Sequence, residues 1–200
     1  MLSAMACKAT VIGFYDSMGD SAVDFCLNQT QCSTLFITCE YLKKLLDMRA
    51  QGMARFIRNI VLFDLNEDSE GLIQRAKNEF AINVYSLDQV REAGRASNLT
   101  LDGQAVGRDD VYMLNYTSGT TGDAKGVKVP HWGILSSAFL FMEEAKLTED
   151  DVIIDYLPAP HVFDQFMFIA GVLGACSIGY YQGNPLKLTE DCAILQPTLF

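Results

Sequence analysis

The sequence predicts an α/β protein: a mostly parallel sheet with helices packed over it. Apolar runs rich in β-branched and aromatic residues alternate with amphipathic runs along most of the chain. The amphipathic runs carry leucines and methionines at helical spacing, with lysines and arginines on the other face. Strands alternating with helices in this way build parallel α/β architecture. Composition agrees, with 50% hydrophobic and 20% charged residues over 200 positions.

Taken in order, "KATVIGFYD" (8–16) and "STLFITC" (33–39) read as buried strands. Between them "GDSAVDFCLNQT" (19–30) reads as a helix capped by Asp20 or Ser21. "EYLKKLLDMRAQGMARFI" (40–57) predicts a long helix, "NIVLFDL" (59–65) a strand, "LIQRAKNEFAI" (72–82) a helix and "NVYSL" (83–87) a strand. "AGRASNLTLDGQAVGRDD" (93–110) has little apolar periodicity and reads as a connection, with a sub-boundary near 92–110. Beyond it, "VYMLNY" (111–116) and "GVKV" (126–129) read as strands, the second stopped by Pro130. "HWGILSSAFLFMEEAKL" (131–147) is a helix, "DVIIDYL" (151–157) a strand and "HVFDQFMFIAGVLGA" (161–175) a buried helix. "CSIGYY" (176–181) is a strand, and the chain closes with a short helix in "LTEDCAILQPTLF".

The formal net charge of −10 argues against nucleic acid as a partner, because phosphate backbones reward basic surfaces. An anion bound here needs a local device. The six cysteines include no C-x-x-C pair, and several sit in apolar runs, so they read as buried reduced thiols. With His131 and His161 the only histidines, the sequence argues against a zinc site, and no metal ligand is assigned. The N-terminus lacks the basic start and long apolar stretch of a signal peptide. "FMFIAGVLGACSIGYY" falls short of the ~20 apolar residues of a spanning helix and reads as a buried helix running into a strand.

One stretch carries chemistry. "YTSGTTGDAKGVKV" sets Thr117, Ser118, Thr120 and Thr121 around Gly119 and Gly122, with Lys125 close behind. Glycines let a backbone turn sharply so that N–H groups converge on one concavity. The hydroxyls each donate a hydrogen bond, and the lysine adds charge at the rim. Together they make a cradle for phosphate oxygens. The bland alternative is a hydroxyl-rich surface turn without a ligand. A P-loop is excluded, since Lys125 precedes Gly126 and no helix is expected after it.

The same stretch resembles the phosphate-binding loop of the adenylate-forming superfamily, and most closely that of the AMP-forming long-chain fatty acyl-CoA synthetases. "DYLPAPHVFDQ" resembles that group's leucine-proline, histidine, phenylalanine and acid arrangement. "GYYQGNPLKLTEDCAILQPTLF" resembles its aromatic-glutamine-glycine turn, acidic helix and "QPT", and "FYDSMGDSAVDFCLNQT" resembles its "LYDTLG" segment. Two departures stand out. Ala124 replaces the proline usual before the lysine, and Asp164 replaces the usual glutamate, one methylene shorter. The family's later aromatic-Gly-x-Thr-Glu motif, ribose-binding aspartate, hinge and C-terminal lysine domain are not found, so neither is its magnesium-holding acid. The chain also opens inside an expected strand and stops on apolar "PTLF". It is therefore expected to be an internal part of the adenylate-forming N-terminal domain, inactive alone.

The resemblance implies a ligase that activates a fatty acid with ATP and Mg2+ to acyl-AMP and transfers the acyl group to coenzyme A. It assigns Thr117, Ser118, Gly119, Thr120, Thr121, Gly122 and Lys125 to the ATP phosphates, with Lys125 and His161 as catalytic candidates. His161 reads equally as a histidine satisfying local backbone groups. His131 reads as a capping or packing residue. Trp132 and the phenylalanines of "SSAFLFM" are assigned to core packing, with the lining of an acyl tunnel as the alternative. A luciferase-like or amino-acid-adenylating relative, and a non-catalytic nucleotide-binding remnant, are the competing readings. The expected setting is intracellular, in the cytosol or peripherally on the cytosolic face of a membrane such as endoplasmic reticulum or peroxisome.

Overall fold

The computed structural model describes residues 2–98, 106–117 and 124–200. Its internal contacts divide the chain into two units, Ser17–Thr100 and Met1–Asp16 with Leu101–Phe200. The chain enters through helix α1 (Leu2–Ala6) and strand β1 (Val11–Ile12) of the second unit before passing into the first. The long N-terminal strand expected over 8–16 is thus a two-residue strand behind a short helix.

The unit formed by residues 17–100 is a three-stranded parallel sheet in the order β2-β3-β4. Helix α2 (Asp20–Thr30) precedes β2 (Thr34–Ile37); α3 (Cys39–Ala50), β3 (Asn59–Leu62), α4 (Ser69–Phe80), β4 (Asn83–Ser86) and α5 (Leu87–Ala96) follow. Parallel neighbours cannot be joined by a tight turn, and α3 and α4 supply the two crossovers. Central β3 is the most buried strand, and α3 turns Cys39, Leu42, Leu45 and Leu46 inward at helical spacing.

Several boundaries differ from expectation. The cap of α2 is Gly19, in extended backbone and without a side-chain cap bond. Asp20 lies in the first turn and pairs with Lys44 at 3.0 Å. Helix α3 ends at Ala50, seven residues early, and the chain turns through Gly52, whose φ of +83° a glycine adopts without strain. Helix α5 starts inside the stretch expected as strand and connection. Its signal was present in "SLDQ": the Ser86 hydroxyl accepts from the Gln89 N–H while the Gln89 side chain accepts from the Ser86 N–H.

The other unit is built on β5 (Val111–Thr117), paired in parallel with β1 and antiparallel with β6 (Lys125–Pro130). Helix α6 (His131–Ala145) follows, then β7 (Val152–Asp155), α7 (Val162–Leu173) and β8 (Ser177–Tyr180), which pairs in parallel with β7. A short 3-10 turn at Pro185–Lys187 leads into α8 (Leu188–Leu195). Tyr112 and Met113 of β5, Ile134 and Ala138 of α6, and Ile169 and Ala170 of α7 form one buried cluster. The expectation of buried thiols holds for Cys26 and Cys39, whereas Cys7 is exposed and Cys32, Cys176 and Cys192 are half-buried.

No residue of α5 is buried, so its stability rests on the capping box more than on packing. Ser86→Ala is expected to cost about 1 kcal/mol locally. Amide hydrogen exchange in Val90–Gly94 should then rise about fivefold, with β3 unaffected.

Candidate functional site

Strand β5 is buried along most of its length and emerges at Thr117, which is exposed. The β5–β6 register pairs Thr117 with Lys125, Tyr116 with Gly126 and Asn115 with Val127. The lysine therefore stands directly across from the first hydroxyl of the expected cradle, and it begins a strand, as the hairpin reading required. Ser118, Gly119, Thr120, Thr121 and Gly122 lie outside the described residues. Gly126 has a packing reason: a Cβ there would lie 3.2 Å from Cζ of the Tyr116 ring.

His161 stands at the other candidate position. Strand β7 ends at Asp155, and a turn through Pro158, Ala159 and Pro160 delivers His161 to the N-cap of α7. Its backbone N–H donates to the Pro158 carbonyl at 2.7 Å, and its Nδ1 accepts from the Phe163 N–H at 3.1 Å. An accepting Nδ1 puts the proton of the neutral ring on Nε2. His161 is exposed, so its capping bond leaves the other nitrogen available for a second role.

Two contacts place this turn beside the sheet. Gly13 follows β1, and a Cβ on it would lie 2.7 Å from Pro160 Cβ and 2.8 Å from Pro160 Cα, so only a glycine allows the approach. Because Ile12 pairs with Leu114, the turn sits at the carboxyl end of β1, the same end at which β5 emerges. Ligands of open α/β sheets bind outside the carboxyl ends of strands. The second contact is polar. The Tyr112 hydroxyl donates to Gln165 Oε1 at 2.9 Å, and Gln165 Nε2 donates to the Ala159 carbonyl at 2.7 Å and to Asp164 Oδ2 at 3.2 Å.

Asp164 also shares a hydrogen bond with Asp155. Burial, then that bond and the Asp155 charge, push the Asp164 carboxyl up to about 7, against a weaker opposing pull from Gln165. Burial first, and the Asp164 charge second, push the Tyr112 phenol up to about 12. The two carboxyl groups line a cavity of about 460 Å³ whose other walls include Phe141, Phe163, Met167 and Ile178.

His131 packs as expected: it is buried, its ring centroid 5.5 Å from that of Tyr112. Trp132 is half-exposed under Arg108, 4.3 Å from the guanidinium, and Phe139 is also half-exposed, so these two are not core residues. Within "SSAFLFM" it is Phe141 that packs inward, against Phe166. Sequence reading missed Gly13, Tyr112, Asp155 and Gln165. The adjacent polar pair Asp164–Gln165 in an otherwise apolar helix was the available signal, since buried polar groups demand partners. Gly13 and Tyr112 gave none, because their partners lie more than fifty positions away.

A family model described as AMP-binding enzyme matches residues 1–200. The chain belongs to the AMP-binding enzyme family. Among curated relatives, "Long chain acyl-CoA synthetase 7, peroxisomal" of Arabidopsis thaliana is 31% identical over 94% of this chain and 26% of its own length. "Long-chain-fatty-acid--CoA ligase 1" of Homo sapiens is 28% identical over 98% of this chain and 28% of its own length. The chain thus spans little more than a quarter of the length of these two relatives. Its fold matches the adenylation domain of a carboxylate reductase from Mycobacterium chelonae, with a TM-score of 0.77, 20% identity, and 96% of this chain and 31% of that one covered. A related didomain from Segniliparus rugosus, solved with AMP, matches with a TM-score of 0.74 at 19% identity, covering 95% of this chain and 28% of that one.

The Asp155–Asp164 pair predicts a pH dependence for this family member. Asp164 is raised from 3.8 to about 7 on folding, so between those values the folded protein holds a proton that the unfolded chain has lost. The pair's contribution to stability is complete below the lower value and is lost as pH rises through the upper one. Urea midpoints should therefore fall from about pH 4.5 to about pH 7.5. Asp164→Asn, which mimics the protonated acid, should flatten that part of the profile, and an unchanged slope would contradict the shared proton.

Proposed function

We propose that this chain is the phosphate-gripping part of an AMP-forming long-chain fatty acid–CoA ligase. The observation that carries the reading is the register of β5 and β6, which sets Thr117 opposite Lys125 at the exposed end of a buried strand. The names of the Arabidopsis and human relatives support the fatty acid as substrate and coenzyme A as acyl acceptor.

In this proposal the carboxylate attacks the α-phosphate of ATP to give acyl-AMP and pyrophosphate, and the thiol of coenzyme A then displaces AMP. Negative charge builds on the departing pyrophosphate. Thr117, with Ser118, Gly119, Thr120, Thr121 and Gly122, supplies hydrogen-bond donors to those oxygens, and Lys125 supplies the charge. His161, with its neutral ring protonated on Nε2, donates to an oxygen of the reacting carboxylate or thioester. Among the described residues no three imidazole, thiol or carboxylate side chains converge as a metal set. In this proposal the chain's own contribution is the cradle. No described helix is long and apolar enough to cross a membrane. An intracellular setting follows from the proposed substrates, with the peroxisome suggested by the Arabidopsis relative's name.

The test is carboxylate-dependent ATP–pyrophosphate exchange by the complete protein. Palmitate should support it, and amino acids should not. Lys125→Ala removes one charge-assisted contact, worth about 1.5–3 kcal/mol, so exchange should slow roughly tenfold to hundredfold. Exchange that needs no carboxylate, or is indifferent to Lys125, would refute the proposal.

A further inference from the structure

We propose that Tyr112 and Gln165 are positioning residues: a buried phenol–amide brace that holds the His161 turn against strand β5. The role rests on the ligase reading only where it bears on rate; the brace itself is a statement about the turn. The turn is poor in internal donors, since Pro158 and Pro160 have no N–H to contribute. The Ala159 carbonyl between them is gripped from outside by Gln165 Nε2 at 2.7 Å. The same amide spends its second N–H on Asp164 Oδ2 at 3.2 Å and receives the Tyr112 hydroxyl on Oε1 at 2.9 Å. Both donors and the acceptor of the side chain are thus used. A flipped amide would set two oxygens face to face at Ala159, so the network admits one orientation.

The brace is dry. Tyr112 is 1% exposed and Gln165 5% exposed, and removing either partner leaves a buried polar group unsatisfied. Its two ends belong to different parts of the site. Tyr112 lies on the strand that ends in Thr117, and Gln165 lies one helical turn after His161. A side chain that only filled the core would not need to reach a turn carbonyl. The Gln165 backbone N–H also donates to the His161 carbonyl at 3.3 Å, so displacement of this helical turn moves the histidine with it.

Tyr112→Phe deletes the phenol oxygen and keeps the ring, and Gln165→Met keeps the length and deletes the amide. Two readouts separate positioning from general stability. In amide hydrogen exchange, the Phe163 and Gln165 N–H groups should exchange about tenfold faster in either variant, with Ile153 and Ile178 of β7–β8 within about twofold of the parent. In pyrophosphate exchange by the complete protein, kcat should fall about tenfold while the KM for ATP moves less than about twofold. The double variant should be no slower than the worse single, because the pair acts as one unit.

Uniform loss of protection across the unit, or none in the turn, would overturn the brace. Local loss of protection with unchanged kcat would overturn its positioning role. A parent protein without carboxylate-dependent exchange would overturn the ligase reading instead, and amide protection alone would then decide the brace. Should Gln165→Met fail to fold, Tyr112→Phe gives the same two readouts.

Discussion

Strand β5 is paired along both edges, with parallel β1 on one side and antiparallel β6 on the other, and most features of the candidate site are consequences of that pairing. The antiparallel partner sets Lys125 across from Thr117. The parallel partner ends where β5 is still buried, and Gly13 beyond it receives Pro160. Tyr112, near the start of β5, reaches Gln165. A one-residue slip of β5 against β6 would turn every side chain of β6 to the opposite face and separate Lys125 from its partner. Val129, the residue of β6 packed against the buried cluster of Tyr112 and Met113, resists that slip.

Two adjacent polar side chains of α7 find partners within this unit. Gln165 uses all three of its hydrogen-bonding groups inside a largely apolar environment, and burial together with the neighbouring Asp155 pushes the Asp164 carboxyl toward its neutral form. A carboxylate buried without such a partner would cost several kcal/mol or would neutralise itself.

Much of this was legible in the sequence. Alternating apolar and amphipathic runs gave the α/β class, and the Gly/Ser/Thr stretch with its trailing lysine gave the hairpin, because both signals are local. What was illegible depends on distance or on competition between local signals. Helix α3 ends at Ala50 although its amphipathic pattern continues through Met53 and Ile57, because the φ of +83° at Gly52, two residues on, breaks the helical path. Helix α5 was hidden by "NVYSL", whose last residue belongs to the helix rather than the strand. The capping role of His161 was not specified by sequence, since the accepting role of Nδ1 appears only when Phe163 folds back to it.

Under the proposed function Lys125 faces the nucleotide's phosphates, and lysine-reactivity footprinting checks this without needing turnover. The complete protein would be labelled with and without ATP and magnesium, and each lysine quantified by mass spectrometry. Lys128 is an internal control: it lies on the same exposed strand but pairs with Leu114, away from the end of the hairpin. ATP should protect Lys125 at least severalfold and leave Lys128 unchanged. Equal protection of the two, or none at Lys125 at saturating ATP, would contradict it.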